Sequence, residues 1–217
     1  MKRYGFYITG ESTRLLKYLQ NTSEKQVKCL KLVFSDEKVP LELENLIKEK
    51  KIKLEYIIYS QLNGNLYEKR KFLSNSLLNS LKKNDINYCF CFGGHILEGE
   101  LLDEYKNRII NFHPAILPMY PGMNAIDQAA NEKKAFIVGN TAHFINESVD
   151  AGPIIMQSVK CIYEFLKTRD YAIILDLQIE MLCKLIDLLN ENRIHVIDDQ
   201  VVIEGANYSI AHIYPEV

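Results

Sequence analysis

Short apolar runs alternate with amphipathic stretches along the first 150 residues of the chain. Apolar runs bounded by polar or turn-forming residues predict β-strands at residues 4–9, 27–34, 53–59, 86–92 and 108–112. Apolar positions at helical spacing predict helices at residues 12–19, 41–50, 66–81 and 97–105. Strands that alternate with helices in this way predict an α/β protein whose mainly parallel sheet is covered on both faces.

The rest of the chain has a different pattern. Two further apolar runs predict strands at residues 137–145 and 154–162, and helical spacing predicts one long helix at residues 171–190. The tail then alternates apolar and polar positions around Asp198-Asp199 and Gly205-Ala206, which predicts a β-hairpin or meander. We therefore expect a main domain over residues 1–190 and a C-terminal β-hairpin over residues 191–217, which is a candidate homodimer contact.

Composition narrows the class of protein. Lys plus Arg is 26 and Asp plus Glu is 28, and this net charge of -2 argues against a nucleic-acid partner. The five cysteines show neither zinc-ligand spacing nor a disulfide framework, so we expect thiols in a reducing compartment. The chain has no signal-peptide pattern and no apolar run near the ~20 residues of a membrane span. We expect a cytoplasmic protein with no metal and no membrane partner.

Three polar residues could together move an acyl group onto an amine. Asn111 and His113 stand at the end of a predicted strand, and Asp150 stands in a later turn. An amide can donate to a developing oxyanion, an imidazole can carry a proton, and a carboxylate can orient the imidazole. Taken singly, each has an equally good structural explanation as a turn, cap or satisfied polar residue. Their grouping at strand ends, where α/β folds build sites, favours a catalytic role.

Two longer motifs contain these residues. Residues 111–118 match N-x-H-P-(S/A)-L-L-P except for Ile116, and residues 141–157 match T-x-H-x6-D-x-G-P-I-(I/L)-x-Q. In both motifs the chain resembles the folate-dependent formyltransferases, which include glycinamide ribonucleotide, methionyl-tRNA and sugar-nucleotide enzymes. The resemblance implies a Rossmann-like formyltransferase fold and formyl transfer from 10-formyltetrahydrofolate to an amine. It also implies that Asn111 donates to the oxyanion, His113 carries the proton and Asp150 takes it up from the amine.

The resemblance also implies which residues hold the folate. An apolar cleft with a few backbone donors suits a flat heteroaromatic ring. For Ile96 and Leu97, ordinary core packing competes with this role, and His143 is either a support of the site or a buried strand histidine. The implied cofactor-binding residues are Phe92, Gly94, His95, Ile96, Leu97, Phe144, Asn146 and Glu147.

The acceptor is the least determined part of the prediction. The first loop has no dinucleotide G-x-G-x-x-G pattern, and it is shorter than the phosphate-holding loop of glycinamide ribonucleotide formyltransferase and carries Glu11. It could bind an anion at a helix start or simply cap that helix. Gln178 lies where that enzyme has a substrate-contacting glutamate. The predicted acceptor-binding residues are Gly10, Ser12, Thr13, Arg14, Arg70, Gly93, Phe112, Pro114 and Tyr120.

These departures favour a nucleotide-linked amino sugar, dTDP-4-amino-4,6-dideoxyglucose, as the acceptor in surface polysaccharide (O-antigen) synthesis. The alternative is phosphoribosylglycinamide formylation in purine biosynthesis. A protein of another class, which binds folate without turnover, would not need all of Asn111, His113 and Asp150. An acyl hydrolase would need a nucleophile motif such as G-x-S-x-G, which the sequence lacks.

Overall fold

The computed structural model describes residues 1–132 and 135–208. Its strands are β1 (Tyr4–Ile8), β2 (Leu30–Ser35), β3 (Lys53–Tyr56), β4 (Tyr88–Phe92), β5 (Ile109–His113), β6 (Ile137–Phe144), β7 (Ile154–Cys161), β8 (Ile194–Ile197) and β9 (Gln200–Ile203). Its helices are α1 (Thr13–Asn21), α2 (Glu24–Val27), α3 (Leu41–Glu49), α4 (Leu66–Lys83), α5 (Glu100–Glu104), α6 (Ala125–Asn131), α7 (Tyr163–Thr168), α8 (Ala172–Leu175) and α9 (Leu177–Asn190). A short 3-10 helix spans Tyr59–Gln61.

Seven strands form one twisted sheet in the order β3-β2-β1-β4-β5-β6-β7. The first five are parallel, whereas β6 runs antiparallel to both β5 and β7. The predicted mainly parallel sheet is therefore confirmed. The strand order reverses between β1 and β4, and in such sheets ligands bind outside the carboxyl ends of the strands at that reversal.

Helices cover both faces of the sheet because its central strands are apolar on both sides. On one face, α1, α3 and α9 pack over Phe6, Phe90 and Phe112. On the other face, α4 and α5 pack over Tyr7 and Cys89. The aromatic rings of the first face lie close together, with 5.4 Å between the centroids of Phe6 and Phe90. This packing fixes the positions of the ends of β4 and β5, beside the candidate active site.

Several predicted element boundaries were wrong. The strand predicted at residues 27–34 begins only at Leu30, because α2 precedes it. The strand predicted at residues 53–59 ends at Tyr56. The helix predicted at residues 97–105 begins at Glu100, after Gly99 adopts a left-handed backbone with φ +69°. Apolar spacing continues through such boundaries, whereas the backbone geometry that ends an element depends on one or two residues.

The C-terminal part also differs from its prediction. The single helix predicted at residues 171–190 is two helices, α8 and α9, which meet at Asp176. The Asp176 carboxylate there pairs with Lys17 of α1, with 2.7 Å between nitrogen and oxygen. The helices α6 and α7, which have seven and six residues, were not predicted from the apolar pattern. Helices this short contain too few turns for a clear apolar period.

The predicted C-terminal hairpin forms from β8 and β9. Its two-residue turn places Asp198 and Asp199 in the left-handed region, with φ +48° and +59°, as a type I′ turn requires. The apolar side chains Ile194, Val196, Val201 and Ile203 pack against the main core. Residues 209–217 of the predicted appendage lie outside the described residues, and the dimer contact stays a prediction. In the part of the chain that the structure covers, no helix is long and apolar enough to cross a membrane.

A capping box begins α4, the longest helix. The Asn65 side chain accepts a hydrogen bond from the Glu68 amide, and Glu68 accepts one from the Asn65 amide. Replacing such a cap with Ala costs ~1 kcal/mol. We expect Asn65→Ala to lower the thermal midpoint by about 2–4 °C in calorimetry. The control Asn79→Ala, at an exposed position within α4, should leave the midpoint unchanged or raise it. Equal midpoints for Asn65→Ala and wild type would contradict the cap.

Candidate active site

The three predicted catalytic residues come together although two distant segments supply them. Asn111 and His113 lie at the carboxyl end of β5, and Asp150 lies in the connection between β6 and β7. Because β6 pairs antiparallel with β5, the β6–β7 connection begins beside the amino end of β5, and it then folds back so that Oδ2 of Asp150 lies 3.3 Å from Nδ1 of His113. The result is a cluster that also includes His143, which pairs with Asn111 across the two strands.

His113 is held by both of its ring nitrogens. Its Nε2 lies 2.8 Å from the carbonyl oxygen of Tyr120, and since a carbonyl can only accept, Nε2 carries a hydrogen. Its Nδ1 lies 3.3 Å from Oδ2 of Asp150. A proton on Nδ1 would therefore lie between the imidazole and the carboxylate. The His113 ring is almost fully buried, so this pair is protected from bulk water.

His143 connects the amide to the carboxylate. Its Nδ1 lies 3.0 Å from the carbonyl oxygen of Phe144 and donates to it. Its Nε2 lies 3.2 Å from Nδ2 of Asn111 and 3.6 Å from Oδ1 of Asp150. With Nδ1 protonated, a neutral His143 accepts one Asn111 hydrogen at Nε2 and so fixes the orientation of that amide. The second hydrogen on Asn111 Nδ2 remains available for a substrate oxygen.

Asp150 has an unusual backbone and a perturbed carboxyl group. Its φ is +53°, in the left-handed region that aspartate tolerates better than most residues. The Gly122 amide donates to its Oδ2 at 2.8 Å. Burial alone would raise the pKa of Asp150, but the hydrogen bond that His143 donates when its ring is doubly protonated, the hydrogen bond from the Gly122 amide and the charges of His113 and His143 in their protonated forms outweigh it and lower the pKa. The carboxylate is therefore ionised at neutral pH.

Polar side chains of β6 and β7 form hydrogen bonds to the loop that follows β5. Thr141 donates to the carbonyl oxygen of Ala115 at 2.7 Å and accepts from the Leu117 amide at 3.0 Å. Gln157 donates to Thr141 and to the Leu117 carbonyl. Pro114, predicted to contact the acceptor, begins this loop beside His113. The polar positions of the second motif therefore shape the loop that follows the catalytic strand.

A cavity of about 750 Å³ is lined in part by the β6–β7 connection, the segment that contains Asp150. Its lining includes Ile96, Leu97 and Glu147, three of the predicted cofactor residues, and Val149, which immediately precedes Asp150. The volume falls within the range of sites for drug-sized molecules, and the lining combines apolar and polar groups, so the residues present fit a folate. Arg70 lines the same cavity. It was predicted to contact the acceptor, but the structure groups it with the predicted cofactor residues.

Two further predicted cofactor residues, Gly94 and His95, belong to a loop anchored on β1 and β2. His95 Nδ1 lies 2.7 Å from Oδ2 of Asp36, a fully buried carboxylate. The hydroxyls of Tyr7 and Thr9 donate to the same oxygen, and Thr9 accepts from the Gly94 amide. Burial and the Asp36 charge raise the pKa of Tyr7, so this phenol stays a donor. Sequence motifs did not indicate this network, which fixes the loop at the edge of the cavity.

The remaining predicted cofactor residues lie elsewhere. The side chains of Phe92 and Phe144 are buried in the main core, so only their backbone could face a ligand. Asn146 lines a second, smaller cavity of about 460 Å³ together with Gly152 and residues of the C-terminal hairpin. Its Oδ1 accepts from the Ser148 amide. The structure thus places these three outside the cavity that contains Ile96 and Leu97.

The predicted acceptor residues surround the carboxyl ends of β1, β4 and β5. Gly10 has φ +51° and its amide donates to Ser35, while the Ser12 side chain caps α1 and Thr13 is the first residue of that helix. Gly93 lies against the Tyr7 ring, where a Cβ would come within 2.2 Å of a ring carbon. Only glycine fits there. The Ser12 side chain therefore caps α1, which is one of the two roles that the sequence predicted for this loop.

Two further predicted acceptor residues, Phe112 and Tyr120, contribute backbone atoms to the site. The Phe112 ring belongs to the core, but its carbonyl oxygen accepts from Gln178 at 3.2 Å. Tyr120 has φ +53°, and its carbonyl oxygen accepts from His113. The role of His143 could not be decided from the sequence, and no motif indicated the Gly122 amide. The T-x-H part of the second motif was the only available signal for His143.

The formyl transferase family matches residues 2–172, which is most of the chain. The chain belongs to this family. Among solved structures, glycinamide ribonucleotide transformylase 1 from Symbiobacterium toebii is similar, with a TM-score of 0.78, 26% sequence identity and coverage of 94% of each chain. The Rossmann-like formyltransferase fold expected from the motifs is thereby confirmed.

Curated members of the family match shorter segments. A phosphoribosylglycinamide formyltransferase of Bacillus subtilis is 34% identical over 92 residues, which cover 42% of this chain and 47% of that protein. A formyltetrahydrofolate deformylase of Haemophilus influenzae is 45% identical over 64 residues, which cover 30% of this chain and 23% of that protein. The chain thus spans less than half the length of these curated relatives.

Proposed function

We propose that this protein transfers a formyl group from 10-formyltetrahydrofolate to the amine of a small acceptor. The observation that carries this proposal is the cluster of Asn111, His113, His143 and Asp150, connected by contacts of 3.2 to 3.6 Å. The β6–β7 connection contains Asp150 and also contributes Glu147 and Val149 to the lining of a cavity large enough for a folate. Family membership supports the same donor.

Each residue of the cluster has a role that follows from its contacts. As the acceptor amine attacks the formyl carbon, the carbonyl oxygen becomes an oxyanion, and the free hydrogen on Asn111 Nδ2 can donate to it. His113 can donate a proton from Nδ1 or exchange it with Asp150. Because the pKa of Asp150 is lowered, its carboxylate can accept the proton that the amine releases. The folate nitrogen gains a proton as its bond to the formyl carbon breaks, which balances the reaction.

For the acceptor, the comparisons favour phosphoribosylglycinamide over the amino sugar. The relatives whose names give an acceptor are glycinamide ribonucleotide enzymes, and the one from Symbiobacterium toebii matches along nearly the whole chain. No comparison supports dTDP-4-amino-4,6-dideoxyglucose or polysaccharide synthesis. We therefore propose phosphoribosylglycinamide as the first acceptor to test, with the altered first loop and Gln178 as the features that favour another amine.

The test uses three reactions with purified protein and 10-formyltetrahydrofolate. One contains glycinamide ribonucleotide, one contains dTDP-4-amino-4,6-dideoxyglucose, and one contains no acceptor. Mass spectrometry detects a product heavier by one formyl group, and formate release measures hydrolysis. We expect formylated glycinamide ribonucleotide with the wild type and far less of it with Asn111→Ala.

The other outcomes are equally specific. Formylation of the dTDP-sugar alone would restore the amino-sugar prediction. Formate release that is unaffected by either acceptor would indicate a deformylase, as in the Haemophilus influenzae relative. Folate binding without either product would indicate a binding protein and would contradict the proposed enzyme.

A further inference from the structure

Asp36, which directly follows β2, is a fully buried carboxylate whose hydrogen bonds all fall on one oxygen. Its Oδ2 accepts from the hydroxyls of Tyr7 and Thr9 and lies 2.7 Å from Nδ1 of His95. Its Oδ1 is also buried, and no group within residues 1–132 and 135–208 hydrogen-bonds to it. A proton on Oδ1 would have no acceptor, whereas three donors on Oδ2 stabilise a negative charge. Asp36 is therefore ionised, and a buried charge of this kind needs a counter-charge.

His95 is the group that can supply this counter-charge. Because a carboxylate only accepts hydrogen bonds, Nδ1 of His95 carries a hydrogen in either charge state of the ring. A second proton, on Nε2, makes the ring positive. Among the described residues none hydrogen-bonds to Nε2, and 30% of the side chain is exposed, so this proton can exchange with solvent. The ring also lies against Tyr59, with 3.8 Å between ring centroids, and an aromatic neighbour favours a cation.

The surroundings of the pair contain further ionisable groups, which include Tyr7 of β1, Glu37, Tyr59 of the 3-10 helix, Lys69 of α4 and Cys91 of β4. Burial and the Asp36 charge raise the pKa values of Tyr7 and Cys91, so both side chains stay neutral. The Lys69 ammonium lies 6.0 Å from the centre of the Tyr59 ring, and the Glu37 carboxylate accepts from a backbone amide. His95 is therefore the direct counter-charge for Asp36.

The pair anchors a loop that lines the proposed donor cavity. At one end of this loop, the Gly94 amide donates to Oγ1 of Thr9, which in turn donates to Asp36. At the other end, the Glu98 amide donates to a serine hydroxyl of α4 at 3.0 Å. The cavity residues between these anchors are Ile96 and Leu97. Neither Asp36 nor His95 lines the cavity, so both act on it through the loop.

We propose that Asp36 and a doubly protonated His95 form an ion pair that holds this loop in its donor-binding position, which makes the affinity for the folate donor depend on the charge of His95. Both are positioning residues. This inference rests on the proposed formyl transfer and adds a condition for donor binding. When pH rises through the range of about 5 to 8 in which imidazoles change charge, the contact becomes a neutral hydrogen bond and leaves the Asp36 charge uncompensated. Donor binding then weakens.

The first experiment measures the loop without a ligand. Hydrogen exchange of the Gly94 amide is followed by NMR from about pH 5 to 8, and each rate is divided by that of an unstructured peptide at the same pH. The proteins are the wild type, His95→Asn, Asp36→Asn and His195→Asn. Asparagine at position 95 keeps an N–H donor but has no charge. His195→Asn is the matched control, because His195 also faces a carboxylate, that of Glu204 at 3.7 Å, on the C-terminal hairpin.

The expected pattern distinguishes the ion pair from simple packing. A charge-assisted hydrogen bond is stronger than a neutral one, so Gly94 protection in the wild type and His195→Asn should fall roughly tenfold as pH rises across this range. In His95→Asn and Asp36→Asn the protection should be low and independent of pH. Equal protection in the wild type and His95→Asn at every pH would overturn the proposal. The partly exposed position of His95 makes this comparison decisive even if Asp36→Asn folds poorly.

The second experiment tests the effect on donor binding. Tetrahydrofolate, kept reduced, is titrated by fluorescence against the wild type and His95→Asn over the same pH range. Its Kd for the wild type should rise roughly five- to tenfold with pH, whereas His95→Asn should bind weakly throughout. Protonation of His113 or His143 would affect both proteins alike. In formyl transfer, His95→Asn should raise the donor KM and leave kcat at saturating donor unchanged.

Two contrary outcomes separate this inference from the proposed function. The same pH dependence of Kd in the wild type and His95→Asn would overturn the role of the pair in donor binding. If Gly94 protection depends on His95 but tetrahydrofolate does not bind, the proposed donor fails and the ion pair remains.

Discussion

Asp150→Asn should lower kcat for formyl transfer by roughly 10²–10⁴-fold, the range typical of losing a general acid–base group. The substitution is nearly isosteric, but it removes the negative charge that faces Nδ1 of His113 and Nε2 of His143. It also removes the acceptor for the amine proton. Because asparagine tolerates the left-handed backbone that Asp150 adopts at φ +53°, the fold should be retained. Steady-state kinetics with both substrates would measure the loss.

Asp85→Asn is a matched control for this substitution. Asp85 also has a left-handed backbone, with φ +50°, and is exposed in the turn that precedes β4. This turn lies at the amino end of β4, whereas Asn111 and His113 lie at the carboxyl end of β5. Its replacement should leave both kcat and KM unchanged. A kcat for Asp150→Asn within a few-fold of the wild type would remove Asp150 from the proton path.

The lowered pKa of Asp150 also determines the pH range in which its carboxylate stays charged. A carboxylate with a lowered folded-state pKa stabilises the protein above its unfolded pKa, and this contribution is lost only as pH falls through the folded value. For Asp150 that loss occurs below the ordinary value of 3.8. Any loss of activity on acidification between about pH 8 and 5 must therefore come from a group other than Asp150.

Asn111→Ala should lower kcat by roughly 10²–10³-fold, the usual cost of losing one oxyanion donor. The oxyanion exists only in the transition state, so the KM values should change far less than kcat. Asn111→Asp should be at least as inactive, because it places a carboxylate where negative charge develops. Both variants also lose the contact with His143. Rapid-quench measurement of a single turnover would show whether the chemical step itself is slowed.

His143→Gln serves as the comparison for Asn111→Ala. It removes the ring that orients the Asn111 amide but leaves that amide in place, so its loss of kcat should be smaller. A larger loss for His143→Gln than for Asn111→Ala would mean that His143, and not Asn111, provides the main catalytic contact. Equal folate affinity in all variants, measured by fluorescence titration, would confirm that the binding cavity is intact.

Much of the fold could be predicted from the pattern of apolar residues. Buried parallel strands are continuous apolar runs, and the runs at β1, β4 and β5 were located to within two residues. The helices α6 and α7 were missed, and the break at Asp176 between α8 and α9 was not foreseen. At each of these positions, residues that are distant in sequence contact each other, as Asp176 and Lys17 do in their ion pair.

The residues of the candidate site could be predicted from the sequence, but the contacts between them could not. The two motifs contain Asn111, His113, His143 and Asp150, and the expected chemistry followed from their side chains. The structure shows which atoms meet and assigns His143 a central position between Asn111 and Asp150. Arg70 likewise lines the same cavity as several predicted cofactor residues, and spacing along the chain could not indicate this grouping.

The sequence by itself determined the alternation of strands and helices, the family and the set of side chains available for acyl transfer. These follow from local patterning and from the chemistry of individual residues, and both are written along the chain. Only the tertiary structure decided how charge is distributed at the site. The largely buried guanidinium of Arg14, which donates to Gln178, and the lowered pKa of Asp150 both depend on burial and on partners distant in sequence. Electrostatic energies depend on distances and on exclusion of water, which exist only once the chain has folded.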